Sequence, residues 1–374
     1  MEKIFCFKNA KKFFAICAKI YGMERNGKKA VVALSGGVDS SVSALLLKQQ
    51  GYEVIGLTGR MVNSPAAETV VQNAKIVADS LGIEHHVFDA SEIFKQKVID
   101  YFEKTYQSGE TPNPCIMCNK FIKWGLLLDY AVETLGADVY ATGHYANIIN
   151  ENGIFKLYPA ADEHKDQLYF LCRLSQKQLS KTVFPLSKFT KSEVREIAAK
   201  YNLPTKSSKE SQDICFIQKP MTSKKYLIEK FGENKGDFID ILTGKKWGEH
   251  QGCYQYTIGQ RKGIGIAAPY PLYVIKIDAP KNIVYVGREE DNYKTNLKIN
   301  DLNIVDTDFA NNSKEFDAMV KIRYNMHAKK AHVKLFDNFA DITFYEPVNS
   351  VTLGQAGVIY DLNDGHLIGG GVVY

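Results

Sequence analysis

The stretch that decides the fold is Ala30-Val-Val-Ala-Leu-Ser-Gly-Gly-Val-Asp-Ser-Ser41, in which an apolar run leads through a glycine-rich turn into a helical pattern. Glycines let the backbone approach a phosphate closely, and the first turn of a helix adds unpaired N–H donors and the positive end of its dipole. Ser35 and Ser40 add hydroxyl donors, and Asp39 is a candidate ligand for Mg²⁺. A Walker A lysine does not follow, which excludes a P-loop kinase or GTPase site. We therefore predict a nucleotide-binding loop after the first strand, the alternative being a plain turn with a serine helix cap.

Strands and helices alternate on the carboxyl side of this loop. The predicted helices have the length that is typical of crossover connections between parallel strands. This order indicates an α/β domain with a doubly wound parallel sheet, whose ligands bind beyond the carboxyl ends of the strands. The predicted strands lie at residues 31–34, 52–57, 85–89 and 138–142, and the predicted helices lie at residues 69–81 and 91–106.

The pattern changes past residue 217, where glycine and tyrosine become frequent and short alternating segments replace the helices. A hairpin is predicted over residues 272–288 with its turn at 279–282, and short strands are predicted at 318–323, 332–336, 348–352 and 356–360. Such a series is typical of a small all-β barrel or sandwich. We expect an N-terminal extension over residues 1–28, a catalytic domain over 29–217, a small central domain over 218–278 and a C-terminal β-barrel domain over 279–374. The extension is either a short amphipathic helix or largely absent, if Met23 is the true start.

The composition of the 374 residues is that of a globular protein, with 45% hydrophobic and 24% charged residues. These values exclude a disordered chain, a collagen and a simple coiled coil. No apolar run approaches the roughly 18 residues of a membrane helix, so we expect no membrane contact. The net charge of +5 is uneven, because residues 1–30 and residues 181–225 each carry +6. A basic segment of this kind suits a polyanionic partner, although a solvated surface is the commoner explanation.

The seven cysteines point to metal or redox chemistry more than to a disulfide framework. No signal peptide is recognisable, so we expect a reducing cytoplasm, where spaced cysteines seldom form structural disulfides. Cys115 and Cys118 form a close pair within residues 111–120, and Cys215 is a distant third. The helix predicted to run from Cys118 to Leu135 would place Cys118 at a helix start, which favours the reactive thiolate.

Three interpretations of these cysteines stay open. Cys118 and Cys215 carry out sulfur chemistry in the first, and all three cysteines hold an iron–sulfur cluster with one iron left open in the second. In the third, they are buried structural thiols. A closed zinc site would need a fourth ligand, for which His144 is the candidate. The other cysteines have no partner at a diagnostic spacing and are predicted to be structural: Cys6, Cys17, Cys172 and Cys253.

The loop resembles the signature SGGxDS of the PP-loop pyrophosphatases, which cleave ATP to AMP and pyrophosphate and adenylate a carbonyl oxygen. With its further motifs, the chain closely resembles the tRNA-specific 2-thiouridylases from about residue 30 to its end. The motifs that carry this resemblance are TPNPCIMCNKFIKW (111–124), ATGHY (141–145), KDQLYFL (165–171), ESQDICFI (210–217), GEHQG (248–252), TIGQRKGIGI (257–266), RY (323–324), LGQ (353–355) and GGGV (369–372).

The resemblance implies an enzyme that uses ATP and Mg²⁺ to adenylate the C2 carbonyl of the wobble uridine in certain tRNAs, and then replaces that oxygen with sulfur. Cys215 would carry a persulfide delivered by a sulfur-relay protein or a cysteine desulfurase. Cys118 would assist as a nucleophile or by forming a disulfide with Cys215. The ATP site would comprise Ala33, Leu34, Ser35, Gly36, Gly37, Val38, Asp39 and Ser40, with Gly143 and Met61 beside the nucleotide.

The resemblance also implies which residues face the RNA. The target base would be bordered by Asn113, Pro114 and Cys115. Further tRNA contacts would come from His144, Lys165, Asp166, Gln167, Arg323, Tyr324 and Gln355. The basic segment 181–225 would hold the tRNA backbone through salt-sensitive contacts. We expect a monomer that acts in the cytoplasm with tRNA and a sulfur donor as partners.

Two departures from the family pattern concern the site itself. Many members carry Asp where this chain has Cys115, and a thiol cannot replace a carboxylate as acid or base. The gained thiol instead favours a three-cysteine [4Fe-4S] cluster. The family's Gly-Leu-x-Met is here Gly56-Leu-Thr-Gly-Arg-Met61, so the methionine assigned to ATP is displaced.

Two rival hypotheses remain at this point. A PP-loop ligase that acts on a small molecule would release AMP without tRNA. A tRNA-binding paralogue without turnover would bind tRNA and form no AMP.

Overall fold

The computed structural model describes residues 27–208 and 214–374. The extension expected over residues 1–28 therefore lies almost entirely outside the described residues, as do Cys6, Cys17 and residues 210–213 of the motif before Cys215. Within the described part, no helix is both long and apolar enough to cross a membrane.

A five-stranded parallel sheet forms the first domain, and its order of β3-β2-β1-β4-β7 confirms the doubly wound prediction. The central strand is buried on both faces, since Ala30, Val31 and Val32 are fully inaccessible to solvent. Each pairing along the sheet is parallel. The strands are β1 (Lys29–Ala33), β2 (Glu53–Arg60), β3 (Glu84–Asp89), β4 (Val139–Ala141) and β7 (Thr182–Val183), and a hairpin of β5 (Asn147–Glu151) and β6 (Ile154–Tyr158) lies between the last two.

Helices cover the sheet, and local sequence signals fix where they start. Ser64 caps α2 through a hydrogen bond from the Ala67 N–H, and Thr190 forms a capping box with Glu193 at the start of α7. The helices are α1 (Val38–Gln49), α2 (Pro65–Leu81), α3 (Ser91–Phe94), α4 (Asp100–Gln107), α5 (Pro114–Cys118), α6 (Gln176–Leu179), α7 (Lys191–Lys200), α8 (Ser223–Phe231) and α9 (Thr307–Asn312). Segments of π-helix link α3 to α4 and prolong α5, at Lys95–Ile99, Asn119–Leu127 and Tyr130–Thr134.

The second sheet has four strands in the order β10-β11-β8-β9. Its strands are β8 (Gly236–Asp240), β9 (Lys246–His250), β10 (Tyr273–Asp278) and β11 (Ile283–Gly287). The predicted hairpin is present as the antiparallel pair of β10 and β11. The domain division expected between residues 278 and 279 falls at the end of β10, and both strands of this hairpin belong to the four-stranded sheet.

A closed six-stranded barrel ends the chain, so the barrel alternative is confirmed over the sandwich. The strand predicted at 348–352 is wrong, because β15 ends at Asn349 and the next residue, Ser350, has a left-handed φ of 55°. The barrel strands are β12 (Tyr293–Ile304), β13 (Glu315–Lys321), β14 (Lys329–Leu335), β15 (Phe339–Asn349), β16 (Ala356–Tyr360) and β17 (Leu367–Val373).

The first domain and the barrel share one hydrophobic core. Cys172 of the first domain lies within it, and a Cβ on Gly370 of β17 would come within 2.9 Å of the Cys172 Cβ. The Arg173 guanidinium pairs with Asp301 beside this contact. Cys172 and Cys253 are buried free thiols, as the sequence predicted for them. The two domains therefore pack as one unit.

Candidate active site

The nucleotide loop lies at the carboxyl end of β1, where it turns into α1. Ser40 organises this turn, because its hydroxyl accepts from the Ser35 N–H at 3.2 Å and donates to the Gly37 carbonyl at 3.1 Å. Gly37 is the N-cap of α1, and no side chain caps the helix there. The first N–H groups of a helix need an acceptor. The uncapped N-terminus therefore has N–H donors available to an anion such as a phosphate.

Two glycines let the surrounding chain approach this loop. Gly36 has a φ of 70°, and a Cβ there would lie 2.7 Å from the Asn73 Cβ. Gly143 follows β4, and a Cβ there would lie 2.8 Å from the Ser40 nitrogen. Met61 follows β2, the neighbour of β1, so the three segments assigned to ATP meet at one edge of the sheet.

We expect Gly143→Ala to weaken ATP binding by about 10- to 100-fold. The added methyl group would push the nucleotide loop away from the segment at Gly143, and such overpacking costs roughly 1–3 kcal/mol. Equilibrium titration with Mg-ATP measures the effect. Gly248→Ala is the matched control, since nothing lies within 4 Å of a Cβ at that position. Equal ATP affinity in Gly143→Ala and the wild type would contradict the placement of Gly143 beside the nucleotide.

Asp39, the candidate Mg²⁺ ligand, already has two partners. The Lys191 ammonium lies 2.7 Å from both carboxylate oxygens, and the Tyr145 hydroxyl donates to one of them at 2.9 Å. A bound Mg²⁺ would have to displace the ammonium from this carboxylate, because two cations repel each other at such distances. The carboxylate is of the ligand type that Mg²⁺ prefers.

The cysteine pair lies on a helix that starts earlier than predicted. Asn113 caps α5, since its side chain accepts from the Ile116 N–H at 3.3 Å, and Pro114 occupies the first turn. Cys118 is therefore one turn inside the helix, and the expected helix start at Cys118 is wrong. The signal was the Asn-Pro pair, which is a typical cap followed by a first-turn proline. Cys118 is buried, whereas Cys115 and Cys215 are exposed.

The three thiols lie close enough together to influence one another's ionisation. Desolvation raises the pKa of the buried Cys118 thiol to about 12. Although Cys115 and Cys215 are exposed at the surface, the protein surrounding their thiols also desolvates them, which raises the pKa of Cys215 to about 11 and raises the pKa of Cys115. The positive charge of Lys123 opposes this rise at each of the three thiols. The resting form of Cys118 is therefore the thiol, in contrast to the thiolate that the predicted helix start favoured.

His144 connects the cysteines to the nucleotide loop. Its Nε2 lies 3.4 Å from the Lys123 Nζ, and its Nδ1 lies 2.7 Å from the Thr142 hydroxyl. Burial, followed by the charge of Lys123, holds the pKa of His144 well below its usual value, so the imidazole is neutral at pH 7. The preceding residue, Gly143, packs against α1. One short segment therefore contacts both halves of the site.

We expect Lys123→Met to slow alkylation of Cys215 by iodoacetamide about 3- to 10-fold at pH 8, because loss of the nearby positive charge raises the thiol pKa further and lowers the thiolate fraction. The rate is measured by mass spectrometry of the metal-free protein across pH 7–10. Lys97→Met, which removes an ammonium that lies over the Phe121 ring, is the control. An unchanged alkylation rate in Lys123→Met would contradict the electrostatic role.

The fit of a metal or cluster to the cysteines depends on its size. Among residues 27–208 and 214–374, only Asp361, Asp364 and His366 bring three potential ligand atoms within 4.8 Å of one another. The three cysteines therefore do not converge on a single ion. A [4Fe-4S] cluster takes each thiolate at a separate iron, so three neighbouring thiols still fit that group.

All three domains hold the loop assigned to the target base. The Gln355 amide donates to the Thr111 carbonyl at 3.3 Å and to the Pro112 carbonyl at 3.2 Å. The Thr111 hydroxyl donates to that of Thr257 at 3.4 Å, which brings in the central domain. This loop is therefore positioned by the whole chain, and Gln355 is a structural contact as well as a candidate RNA contact.

The remaining candidate RNA residues form one group between the first domain and the barrel. Tyr324 donates to the Asp166 carbonyl at 3.3 Å, and its ring packs against that of Phe170 at 4.5 Å between centroids with a tilt of 41°. Both carboxylate oxygens of Asp166 accept backbone N–H groups, and the Gln167 side chain accepts from the Tyr145 N–H. The Arg323 guanidinium donates to the side-chain oxygen of Asn349 at 2.5 Å. Lys165 lies beside Asp166 and is partly exposed.

Comparison with known proteins agrees with this architecture. Residues 28–219 match the family described as the tRNA methyl transferase HUP domain, residues 224–288 match its PRC-barrel domain, and residues 294–373 match the aminomethyltransferase beta-barrel domain. The tRNA-specific 2-thiouridylase MnmA of Pelobacter propionicus is 44% identical over 350 residues, which cover 92% of this chain and 96% of the relative. The chain belongs to the tRNA-specific 2-thiouridylase family.

Further relatives extend the comparison. The 2-thiouridylase of Rippkaea orientalis is 42% identical over 92% of this chain and 99% of its own length. Among solved structures, the U34-tRNA thiolase NcsA from Methanococcus maripaludis with its [4Fe-4S] cluster aligns with a TM-score of 0.39 at 21% identity, over 56% of this chain and 69% of that chain. The family models and the two thiouridylase relatives confirm, at the level of the family, the resemblance stated from the motifs.

Sequence reasoning on this thiouridylase did not single out Lys123, Tyr145 or Lys191. The first two stand inside the quoted motifs, so their positions were visible but their roles were not. Lys191 lies 152 residues from the Asp39 carboxylate that it contacts. Only the fold reveals such a pair.

Proposed function

We propose that the protein is an ATP-dependent tRNA-uridine 2-sulfurtransferase that converts the wobble uridine to 2-thiouridine. The observation that carries the proposal is that Gly143 packs against the nucleotide loop while the next residue, His144, contacts Lys123 beside the three thiols. The loop that would activate the carbonyl therefore lies next to the thiols that would supply sulfur. The partner is tRNA, whose target base must leave its stack to reach the nucleotide loop and the thiols.

The first half-reaction activates the base. The O2 atom of uracil attacks the α-phosphorus of ATP, the bond from that phosphorus to the pyrophosphate oxygen breaks, and the N3 proton is lost. Pyrophosphate leaves with the electron pair. The uncapped start of α1 and the hydroxyls of Ser35 and Ser40 would hold the phosphates, and Mg²⁺ on Asp39 would offset their charge.

The second half-reaction transfers sulfur. The outer sulfur of a Cys215 persulfide attacks C2, and AMP leaves with the original oxygen. The Cys118 thiol then loses its proton as its sulfur attacks the Cys215 sulfur, which breaks the S–S bond and leaves a thiocarbonyl whose N3 takes up a proton. The products are 2-thiouridine and a Cys118–Cys215 disulfide, which an external dithiol must reduce before the next turnover. Exposure of Cys215 allows a donor protein to reload it.

An iron–sulfur cluster on Cys115, Cys118 and Cys215 is the alternative sulfur carrier. A bound cluster would supply an open iron that presents sulfide to the activated base. Cys115 separates the two schemes, because only the cluster requires its thiol.

Release of AMP tests the proposal against its rivals. With Mg-ATP, a persulfide donor and unmodified tRNA, we expect AMP to form in step with 2-thiouridine. AMP formed at the same rate without tRNA would instead indicate a ligase for a small molecule. Tight tRNA binding with no AMP formed would indicate a paralogue without turnover.

A further inference from the structure

The Asp39–Lys191 pair brings a cation to a loop that lacks a lysine of its own. The Lys191 side chain is 12% exposed and the Asp39 side chain is 32% exposed, so the pair is partly shielded from solvent. The Lys191 ammonium also lies 5.8 Å from the centre of the Tyr145 ring, whose hydroxyl donates to the same carboxylate. The loop otherwise offers only neutral N–H and O–H donors to a polyanion.

The backbone at Lys191 is fixed, so only its side chain can move. Lys191 is the first residue of α7, whose start the capping box of Thr190 and Glu193 defines. The Lys191 N–H donates to the Asp162 carboxylate at 2.8 Å, which anchors the same turn to a neighbouring loop. A four-carbon stem on an anchored backbone can swing its ammonium from one anionic partner to another nearby.

We infer that Lys191 is a further nucleotide-site residue, whose ammonium binds the β- and γ-phosphates of ATP and neutralises pyrophosphate as it leaves. This inference rests on the proposed function. When Mg²⁺ binds Asp39, the two cations repel each other, and phosphate oxygens held at the same loop offer the ammonium another anionic partner. As the bond from the α-phosphorus breaks, the electron pair stays on pyrophosphate, and the ammonium already in contact with it stabilises that charge.

Nucleotide binding without tRNA tests the inference. We expect Lys191→Gln to weaken Mg-ATP binding by about 10- to 100-fold, because it removes a charge-assisted contact with phosphate. The same substitution should change AMP binding by less than about 3-fold. AMP lacks the phosphates that Lys191 contacts. Lys75→Gln is the matched control, because Lys75 pairs with Asp79 at 2.5 Å on an exposed face of α2. Lys191→Arg should retain most of the ATP affinity.

The outcomes separate this role from a structural one. Equal weakening of ATP and AMP binding in Lys191→Gln would mean that Lys191 merely positions Asp39, and unchanged ATP binding would remove it from the site. Either result overturns the inference. If Lys191→Gln does not fold, weak ATP binding by a folded Lys191→Arg would overturn it as well. A wild type that binds ATP and forms no 2-thiouridine would overturn the proposed function and leave the nucleotide result standing.

Discussion

Cys215→Ala and Cys118→Ala should each lower the rate of 2-thiouridine formation by about 1,000-fold or more, because each removes a sulfur that forms or breaks a bond. Binding of tRNA should be unchanged in both variants. Formation of the adenylate precedes sulfur transfer, so tRNA-dependent exchange of pyrophosphate into ATP should also persist. Quantitative nucleoside mass spectrometry measures the first effect, and a labelled-pyrophosphate assay measures the second.

Two further cysteine variants act as controls for this prediction. Cys253→Ala removes a buried thiol of the central domain and should retain thiolation. Cys115→Ala distinguishes the two sulfur carriers, since a persulfide scheme tolerates the change and a three-cysteine cluster does not. Full thiolation by either Cys118→Ala or Cys215→Ala would remove these cysteines from the mechanism.

Asp306→Asn should lower the free energy of unfolding by about 3 kcal/mol, since it removes a buried carboxylate that pairs with both His366 and Lys156. The loss stays near the lower end for a buried ion pair, because Lys156 keeps Glu151 and His366 keeps Asp364 as partners. The Asp306 side chain is fully buried, and it lies 2.9 Å from His366 Nε2 and 3.2 Å from the Lys156 ammonium. Lys156 belongs to the hairpin of the first domain, whereas His366 belongs to the barrel. The cluster therefore ties the two domains together, and asparagine keeps the capping oxygen that Phe309 uses. Urea denaturation measures the loss.

The pH dependence of this contribution follows from two opposite shifts. Burial alone would raise the pKa of Asp306, but hydrogen bonds from His366 and Phe309 and the contact with Lys156 lower it to about 2. Its stabilisation is full above about pH 4 and is lost as the pH falls through the folded value. Burial alone would lower the pKa of His366, but Asp306 and Asp364 outweigh burial and raise it above 6.5. Its stabilisation is full below pH 6.5 and is lost as the pH rises through the raised value.

The difference between wild type and Asp306→Asn should therefore be greatest between about pH 4 and pH 6.5 and should shrink on either side of that window. Asp364→Asn is the matched control, because Asp364 bonds the other nitrogen of His366 and its side chain is 51% exposed. Its cost should stay below about 1 kcal/mol. A similar loss of unfolding free energy in both variants would contradict this role of the buried ion pairs. So would a loss in Asp306→Asn that does not vary with pH.

The sequence predicted the parts of the fold that depend on local patterns. The strand–turn–helix around Gly36 and the alternation of the following strands and helices were recognisable. Hydrophobic periodicity and turn residues depend only on neighbours in the sequence. The barrel was recognisable only as a series of short strands. The first barrel strand, β12, escaped notice because its sequence, YKTNLKINDLNI, is mostly polar and exposed on one face.

The candidate site was predictable where motifs carry the chemistry and unpredictable where distant residues meet. Cys118 and Cys215 could be named from their motifs, but the protonation state of Cys118 depends on burial that no spacing reveals. The contact of Gln355 with the loop at Thr111 spans 244 residues, and only the packing of the barrel creates it. The helix start at Pro114 was readable from Asn113-Pro114, whereas the helix was predicted to start at Cys118.

The proposed reaction places sulfur on the C2 atom of a tRNA uridine at the expense of ATP. Nucleoside mass spectrometry tests it most directly, with anaerobically purified protein, unmodified tRNA, Mg-ATP and a persulfide donor. An ultraviolet–visible spectrum recorded beforehand reports any cluster through absorbance near about 400 nm. We expect one 2-thiouridine for each AMP formed. The absence of 2-thiouridine, with the donor and tRNA shown to be competent by a control enzyme, would contradict it.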